Sequence, residues 1–319
     1  MHTICRYRCT FLAGLLAVCT GAVCAQDFPN KTIRMLASAS GGGGDVAARL
    51  VAQGLTGVLK QQVIVDNRGT IGAEIVAKAA PDGYTLIFYG STIWLQPLLR
   101  THSTWDPIRD FAAITWAIKS PNVLVVNPGV PIKSVKDLIA LAKAKPGSFN
   151  YSSGATGSSS HLAAELFKYM AGVDIMRIPY KSGATEIADL LGGQVQMTFG
   201  SGGSVGQHVR SEKLRAIAVT TSEPSALFPG LPTIASAGVP GYEAAAMSGV
   251  WAPAKTPPAL ISRLNRDIVR VLAMPEIKEK YFTAGIETVG SSPEAFTDKI
   301  KSEMERLGKV IKAAGIRED

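Results

Sequence analysis

A serine-rich loop ahead of an apolar helix is the stretch of this chain whose residue types are best suited to hold a ligand. Residues 150–170 read "NYSSGATGSSSHLAAELFKYM", with apolar residues at positions 162, 163, 166, 167 and 170. That spacing predicts a helix with one buried face. Backbone N–H groups at a helix N-terminus lack intrahelical partners and carry partial positive charge, so the loop is a candidate anion site. Helix capping is the alternative interpretation, although one serine would suffice for a cap.

Two further loops share this composition of small residues. "SASGGGGD" at 38–45 follows the predicted strand "KTIRMLAS" and precedes a helix that Asp45 is predicted to cap, and "FGSGGSVGQH" at 199–208 follows another predicted strand. In open α/β sheets, ligands bind outside the carboxyl ends of the strands. The three loops are therefore predicted to line one site.

Motifs for nucleotide binding and catalysis are incomplete. The glycines at 41–44 are not followed by the Lys-Ser/Thr of a phosphate-binding loop. Residues 202–206 match G-x-S-x-G around Ser204, but a nucleophile elbow needs a downstream histidine, and the last histidine is His208. We therefore expect a binding protein rather than an enzyme, and a serine hydrolase using Ser204 stays the less favoured alternative.

The metal-ligating residue types are poorly placed for a metal or cofactor site. His102, His161 and His208 lack ligand spacing, and all four cysteines, at 5, 9, 19 and 24, precede residue 26. We expect no metal and no cofactor.

The first 25 residues have the layout of a signal peptide. Arg6 and Arg8 precede an apolar run from Phe11 to Cys24, and small residues precede Gln26. Cleavage there predicts an exported, periplasmic protein without cysteine. A lipoprotein anchored through Cys19 or Cys24 is the alternative.

Charge and length narrow the function further. The formal charge is +8, and removing Arg6 and Arg8 leaves 33 − 2 = 31 bases against 25 acids, or +6. A mildly basic chain suits an anionic ligand, whereas its scattered lysines and arginines do not predict a nucleic-acid groove. A mature length of 319 − 25 = 294 residues with 46% hydrophobic composition in the whole chain predicts two domains.

Alternating strand and helix patterns predict an α/β fold. The βαβ rhythm runs from residue 31, restarts after Pro121, and ends in helices beginning near Pro257, Pro275 and Pro293. Because these last elements are too few for a third domain, we assign 26–122 and 247–319 to domain 1 and 123–246 to domain 2. Two crossings between domains then create a cleft at the hinge.

With these loops in place, the chain resembles the substrate-binding receptors of tripartite tricarboxylate transporters, also called Bug receptors. The resemblance rests on a set of segments spread over the mature length. They are "IGAEIVAKAAPDGYTL", "PNVLVVNP", "KSVKDLIALAKAKPG", "GATGSSSHLAAELF", "IPYKSGATEIADLLGGQVQM", "KLRAIAVT", "FPGLPTIASAGVPGYEA" and "APAKTPPALISRLN". The resemblance implies a two-lobed periplasmic-binding-protein fold (Venus-flytrap, type II-like), with two mixed-sheet α/β domains joined by two crossover strands. It also implies a monomer that closes on a small carboxylate and delivers it to a membrane permease.

The resemblance also implies which residues hold the ligand, often with bridging water. They are Ser38, Ser40, Gly41, Gly42, Ser91, Thr92, Thr156, Gly157, Ser158, Ser159, Gly200 and Ser201. The chain departs from the family at three of its positions: Ser38 replaces a common aromatic residue, Ala39 a proline, and Gly200 an aspartate that many relatives carry. Loss of that aspartate removes the counter-ion expected for a ligand amine.

The chemistry of the loops predicts how the carboxylate is held. Neither 38–45 nor 154–160 contains arginine or lysine, so we expect neutral donors and water, with modest salt dependence. The identity of the carboxylate, and the alternative that the protein senses it for a membrane signalling protein, stay open at this point.

Overall fold

The structure, a computed structural model, describes residues 28–313 and 315–317. The predicted signal peptide at 1–25 lies outside the described residues. Within them, no helix combines the length and the apolar character needed to cross a membrane.

The chain enters one half of the molecule, crosses to the other and returns. The first part contains β1 (Ile33–Ala37), α1 (Gly43–Leu59), β2 (Val63–Asn67), α2 (Ile71–Ala77), β3 (Thr85–Tyr89), α3 (Thr92–Leu99) and β4 (Phe111–Val126). The second contains α4 (Val135–Ala144), β5 (Asn150–Ser153), α5 (Ser159–Ala171), β6 (Met176–Pro179), α6 (Gly183–Leu191), β7 (Met197–Ser201), α7 (Gly202–Arg210) and β8 (Arg215–Val219). The return contains β9 (Ala245–Pro253), α8 (Pro258–Ala273), α9 (Pro275–Thr283), β10 (Glu287–Thr288) and α10 (Pro293–Ala313).

Strand β4 belongs to both halves. Its residues 111–121 pair antiparallel with β9, and residues 122–126 pair antiparallel with β7 and β8. The strand order is β2-β1-β3-β9-β4-β7-β5-β6, with parallel pairs toward both edges. The predicted mixed α/β architecture is confirmed, whereas the domain boundaries at 122/123 and 246/247 stay a prediction.

Two predicted helix starts are confirmed by their hydrogen bonds. The backbone N–H of Asp137 donates to Ser134 Oγ (3.1 Å), which caps α4. Helix α10 begins at Pro293, and the N–H of Ala295 donates to Ser292 Oγ (3.2 Å). Both helices begin where a hydroxyl satisfies an otherwise unpaired N–H.

The predicted start of α1 is wrong by three residues. Gly42, rather than Asp45, is the N-cap, and no side chain caps this helix. The Asp45 carboxylate instead accepts a hydrogen bond from the N–H of Gly41 (3.0 Å), one turn back. The helix therefore begins within the glycines, and its first turn keeps unpaired N–H groups.

The sequence pattern wrongly predicts that Met170 is buried. Its predicted companions on α5 are buried, but Met170 is 36% exposed. Ala163, Leu166 and Phe167 pack in the core of the second half, where the rings of Phe167 and Phe199 have centroids 5.4 Å apart. Leu162 packs instead in a cluster formed mostly by residues of the first half.

Candidate ligand-binding site

A cavity of about 700 Å³ lies between the two halves, beside the crossing strands. Loops from both halves line it, including 38–44 and 89–92 on one side and 154–160 and 200–204 on the other. The predicted residues that line it are Ser38, Gly42, Ser91, Thr92, Thr156, Ser158, Ser159, Gly200 and Ser201. The structure thus brings the three small-residue loops together, as the sequence predicts; that they bind a ligand stays a prediction.

Three of the predicted residues, Ser40, Gly41 and Gly157, are not among the residues that line the cavity. Gly157 has φ +78°, and a Cβ there would lie 2.7 Å from Leu99 Cδ1. Its N–H donates to His161 Nδ1 (3.1 Å), and its carbonyl accepts from Ser91 Oγ (2.8 Å). Gly157 therefore shapes the loop and offers no backbone donor to a ligand.

Six helices begin at this cavity. The first residues of α1, α2, α3, α5 and α6 line it, as does the N-cap residue of α7, Ser201. Only α5 among them has a side-chain cap, from Ser158. Uncapped first turns present backbone N–H groups and the positive ends of helix dipoles to the same volume. Such an arrangement of helix N-termini suits a negatively charged group.

Arg177 holds the serine-rich loop in place. This β6 residue donates from Nε to Ser153 Oγ (2.8 Å), from Nη1 to Thr156 Oγ1 (3.0 Å) and from Nη2 to the carbonyl of Gly154 (2.9 Å). It is partly buried and also lines the cavity. The sequence predicts neutral donors at this loop because the loop itself contains no arginine or lysine. The structure adds the guanidinium of Arg177, which comes from a neighbouring strand.

The Arg177 contacts orient the hydroxyl of Thr156. Because Thr156 Oγ1 accepts from a guanidinium, its own hydrogen is available to donate elsewhere. The backbone N–H groups of Thr156, Ser159 and Ser160 likewise have no acceptor among the described residues. These convergent donors fit a carboxylate.

Tyr89 adds a hydroxyl from the other half. It ends β3, lines the cavity and is 5% exposed. Burial raises the pKa of its phenol, so it stays protonated and can donate. The sequence does not indicate this role, because a tyrosine at the end of "YTLIFY" is also typical of an ordinary buried strand.

His161 is buried at the base of the serine-rich loop. Burial, with smaller contributions from Arg177 and Lys168, lowers the pKa of His161 to about 3. The neutral ring accepts at Nδ1 from the N–H of Gly157, which supports the loop from behind. The contact gives this histidine a structural role in the loop.

Glu186 is the acidic residue of the cavity lining, and sequence reasoning missed it. It lies in the first turn of α6, where its Oε1 accepts from Ser152 Oγ (3.1 Å) and Thr198 Oγ1 (3.0 Å). Burial raises the pKa of its carboxyl against the lowering effect of these bonds. On sequence it resembles any glutamate that favours a helix N-terminus.

Gly200 has no room for a side chain in this arrangement. A Cβ at this buried position would lie 2.4 Å from Val205 Cγ1. Its backbone, rather than a side chain, contributes to the cavity wall.

The two halves touch across the cavity. A Cβ on Gly183 would lie 2.9 Å from both Cα and N of Gly42, and one on Gly43 would lie 2.3 Å from Ser201 Oγ. Ser91 and Gly157 hydrogen-bond across the same divide. Small residues in these loops thus permit close backbone approach between the halves.

Ser204 lacks the surroundings of a nucleophile. It lies in the first turn of α7, and its Oγ donates to the carbonyl of Ser201 (2.9 Å). Within the described residues, its hydrogen-bond partners include no histidine or carboxylate. Over 28–313 and 315–317, no group of three or more metal-ligating side chains is clustered as for a metal ion.

Comparisons with known proteins agree with this geometry. A family model, the tripartite tricarboxylate transporter family receptor, matches residues 47–316. Protein BugT of Bordetella pertussis (strain Tohama I) is 35% identical over 302 residues, covering 92% of this chain and 93% of that protein.

Two solved structures with bound carboxylates are similar over most of their length. R. palustris Rpa4515 with adipate superposes with a TM-score of 0.88 at 36% identity, covering 91% of this chain and 99% of that one. MatC from Rhodopseudomonas palustris with bound malate superposes with a TM-score of 0.83 at 25% identity, covering 89% of this chain and 100% of that one. The two-lobed fold class expected from the sequence is confirmed.

Proposed function

Since the chain belongs to the tripartite tricarboxylate transporter family of receptors, we propose that it binds a small carboxylate in the cavity between its halves and delivers it to a membrane permease. The observation that carries the proposal is the loop 153–156 held by Arg177, with convergent N–H and hydroxyl donors facing the cavity. Charge-assisted hydrogen bonds of this kind suit a carboxylate.

The proposal includes the location and assembly of the protein. Cleavage after residue 25 releases a periplasmic monomer that has lobes 26–122 with 247–319, and 123–246. The layout of residues 1–25 supports export. The adipate and malate in the two similar structures support the carboxylate class. The lack of a base beside Ser204 supports a binding role without catalysis.

Thermal unfolding with a panel of carboxylates tests the proposal. A ligand that binds only the folded state raises the melting temperature. We expect one or more mono- or dicarboxylates to raise it in a concentration-dependent manner, whereas the corresponding primary amides do not. If no carboxylate raises it, the proposed function is wrong.

Replacing Arg177 tests the observation behind the proposal. In Arg177→Gln, the loss of the guanidinium should weaken carboxylate binding by roughly tenfold to a hundredfold, as expected for one charge-assisted hydrogen bond. Calorimetric titration of the best ligand from the panel measures this change.

Arg215→Gln is the matched control. Arg215 is another partly exposed arginine of the second half, where it donates to the carbonyls of Val130 and Ile132 and does not line the cavity. We expect Arg215→Gln to bind the carboxylate with the same affinity as wild type. Equal affinity in both variants would show that Arg177 does not support the ligand loop.

A further inference from the structure

Glu186 places a carboxyl group on a cavity wall otherwise built for anions. Its Oε1 accepts from two buried hydroxyls, those of Ser152 on β5 and Thr198 on the neighbouring β7. These bonds hold the side chain against the sheet instead of leaving it in solvent. The carboxyl therefore has a defined position on the cavity wall.

No cation neutralises this carboxyl within the described residues. The cations that share the cavity lining with Glu186 are Arg68, Arg177 and Lys181, and none of them forms an ion pair with it or is among the causes of its pKa shift. Arg177 is engaged with the serine-rich loop. Partial burial of an acidic group without a cation partner costs free energy, and such groups cluster at functional sites.

The second oxygen of this carboxyl is an acceptor when the carboxyl is ionised. Both hydrogen bonds of the carboxyl use Oε1, so Oε2 has no donor among the described residues. If the group is ionised, Oε2 is a carboxylate oxygen. If the carboxyl is protonated, Oε1 still accepts from Ser152 and Thr198, so the proton sits on Oε2 and makes it a donor. The ionised carboxyl is therefore the form that offers an acceptor to the cavity.

We infer that Glu186 forms a second subsite, which takes a hydrogen-bond donor of the ligand. This inference rests on the proposed function, because the serine-rich loop must hold the ligand carboxylate. The ligand class is then a carboxylate that also carries a hydroxyl or ammonium group. A second carboxylate at this position would set two acceptor oxygens against each other, which costs binding free energy.

Chain-matched ligands test the inference on the wild-type protein. Each set contains an ω-hydroxy acid, an ω-amino acid and a dicarboxylate of the same chain length, for four, five and six carbons, together with the unsubstituted monocarboxylate. Calorimetric titration at neutral pH measures affinity. At the best length, we expect the hydroxy or amino acid to bind roughly tenfold to a hundredfold more tightly than the dicarboxylate.

Glu186→Gln should reverse this preference. The amide keeps an oxygen for Ser152 and Thr198 but presents an NH₂ donor to the cavity. The dicarboxylate should gain affinity while the amino acid loses at least tenfold. Glu165→Gln is the control: it also removes a half-buried carboxylate of the second half, one that bonds Tyr151 and Lys168 outside the cavity, and should leave the ranking unchanged.

The outcomes separate the two claims. If wild type binds the dicarboxylate as tightly as both donor-bearing acids, the Glu186 subsite is wrong while the carboxylate function stands. The same conclusion follows if Glu186→Gln folds, as judged by its melting temperature, and keeps the wild-type ranking. If Glu186→Gln does not fold, the wild-type ranking alone decides. If no acid in any set binds, the proposed function and this subsite are both wrong.

Discussion

At the scale of single residues, His161 supports the serine-rich loop from its buried side. Its ring is 4% exposed, and its Nδ1 accepts from the N–H of Gly157. Only the neutral ring can accept at Nδ1, so protonation would remove this bond and place a charge in the core. The loop conformation is thereby coupled to the protonation state of one residue.

The low pKa of His161 predicts how stability depends on pH. An unfolded histidine has a pKa of about 6.5, whereas burial lowers that of His161 to about 3. Between these values the unfolded chain binds the proton and the folded chain does not. Stability should therefore fall as the pH falls below 6.5, by up to about 1.4 kcal/mol per pH unit from this group.

His161→Asn tests this coupling, because an asparagine oxygen can still accept from Gly157 but does not titrate. We expect lower stability than wild type at pH 7, since the smaller side chain leaves a cavity, but a weaker decline between pH 6.5 and 4. Urea unfolding at several pH values measures the difference between the two proteins. Glu186 contributes with the opposite sign, because its raised pKa favours the folded state as the pH falls, but both proteins retain it. Parallel profiles would show that His161 does not titrate on unfolding.

At the scale of elements, α1 shows which glycines a helix needs. Gly54 faces α8, and a Cβ there would lie 2.2 Å from Val271 Cγ1. Gly57, about one turn later on the same helix, is exposed. A Cβ added there would have no other atom within 4 Å. The first glycine permits close packing of α1 against α8, whereas the second only lowers helix propensity.

Alanine at these two positions should have opposite effects. Gly57→Ala should raise the free energy of unfolding by about 0.5 to 1 kcal/mol, because alanine loses less backbone entropy on folding. Gly54→Ala should lower it by about 1 to 3 kcal/mol, because the core must shift to admit a methyl group. Urea unfolding of both variants checks the signs, and a gain at both positions would contradict the packing of α1 on α8.

At the scale of the whole molecule, the contacts between the halves fit a closed arrangement of two lobes. Gly42 meets Gly183, Gly43 meets Ser201, and Ser91 hydrogen-bonds Gly157. Each pair joins elements on opposite sides of the cavity. A ligand that contacts both halves would favour this arrangement, as in hinge closure.

Closure predicts a ligand-dependent size. Small-angle scattering of wild type should show a smaller radius of gyration at saturating ligand. Gly183→Ala should reduce this change and weaken binding, because its Cβ would lie 2.9 Å from the backbone of Gly42. Gly57→Ala, which adds the same methyl group away from the cavity, should close as wild type does. An unchanged wild-type radius at saturation would contradict closure.

The sequence alone determined the local features, because they depend on neighbours along the chain. Apolar periodicity predicts α1, α5 and the parallel strands, and hydroxyl residues before Asp137 and Ala295 predict two helix starts. Small residues after strands also place the three loops at one cavity, since strand ends in an α/β sheet share an edge. The resemblance to a receptor family follows from these same segments.

Only the tertiary structure decided which distant side chains complete the site. Arg177 lies on β6, Glu186 on α6 and Tyr89 on β3, and each pattern is equally typical of an ordinary strand or helix. The start of α1 at Gly42 and the exposure of Met170 also escape the pattern, because they depend on what packs nearby. The physical reason is that hydrogen bonds, burial and pKa values depend on the position of groups in space, and strand pairing brings residues together irrespective of their separation in the chain.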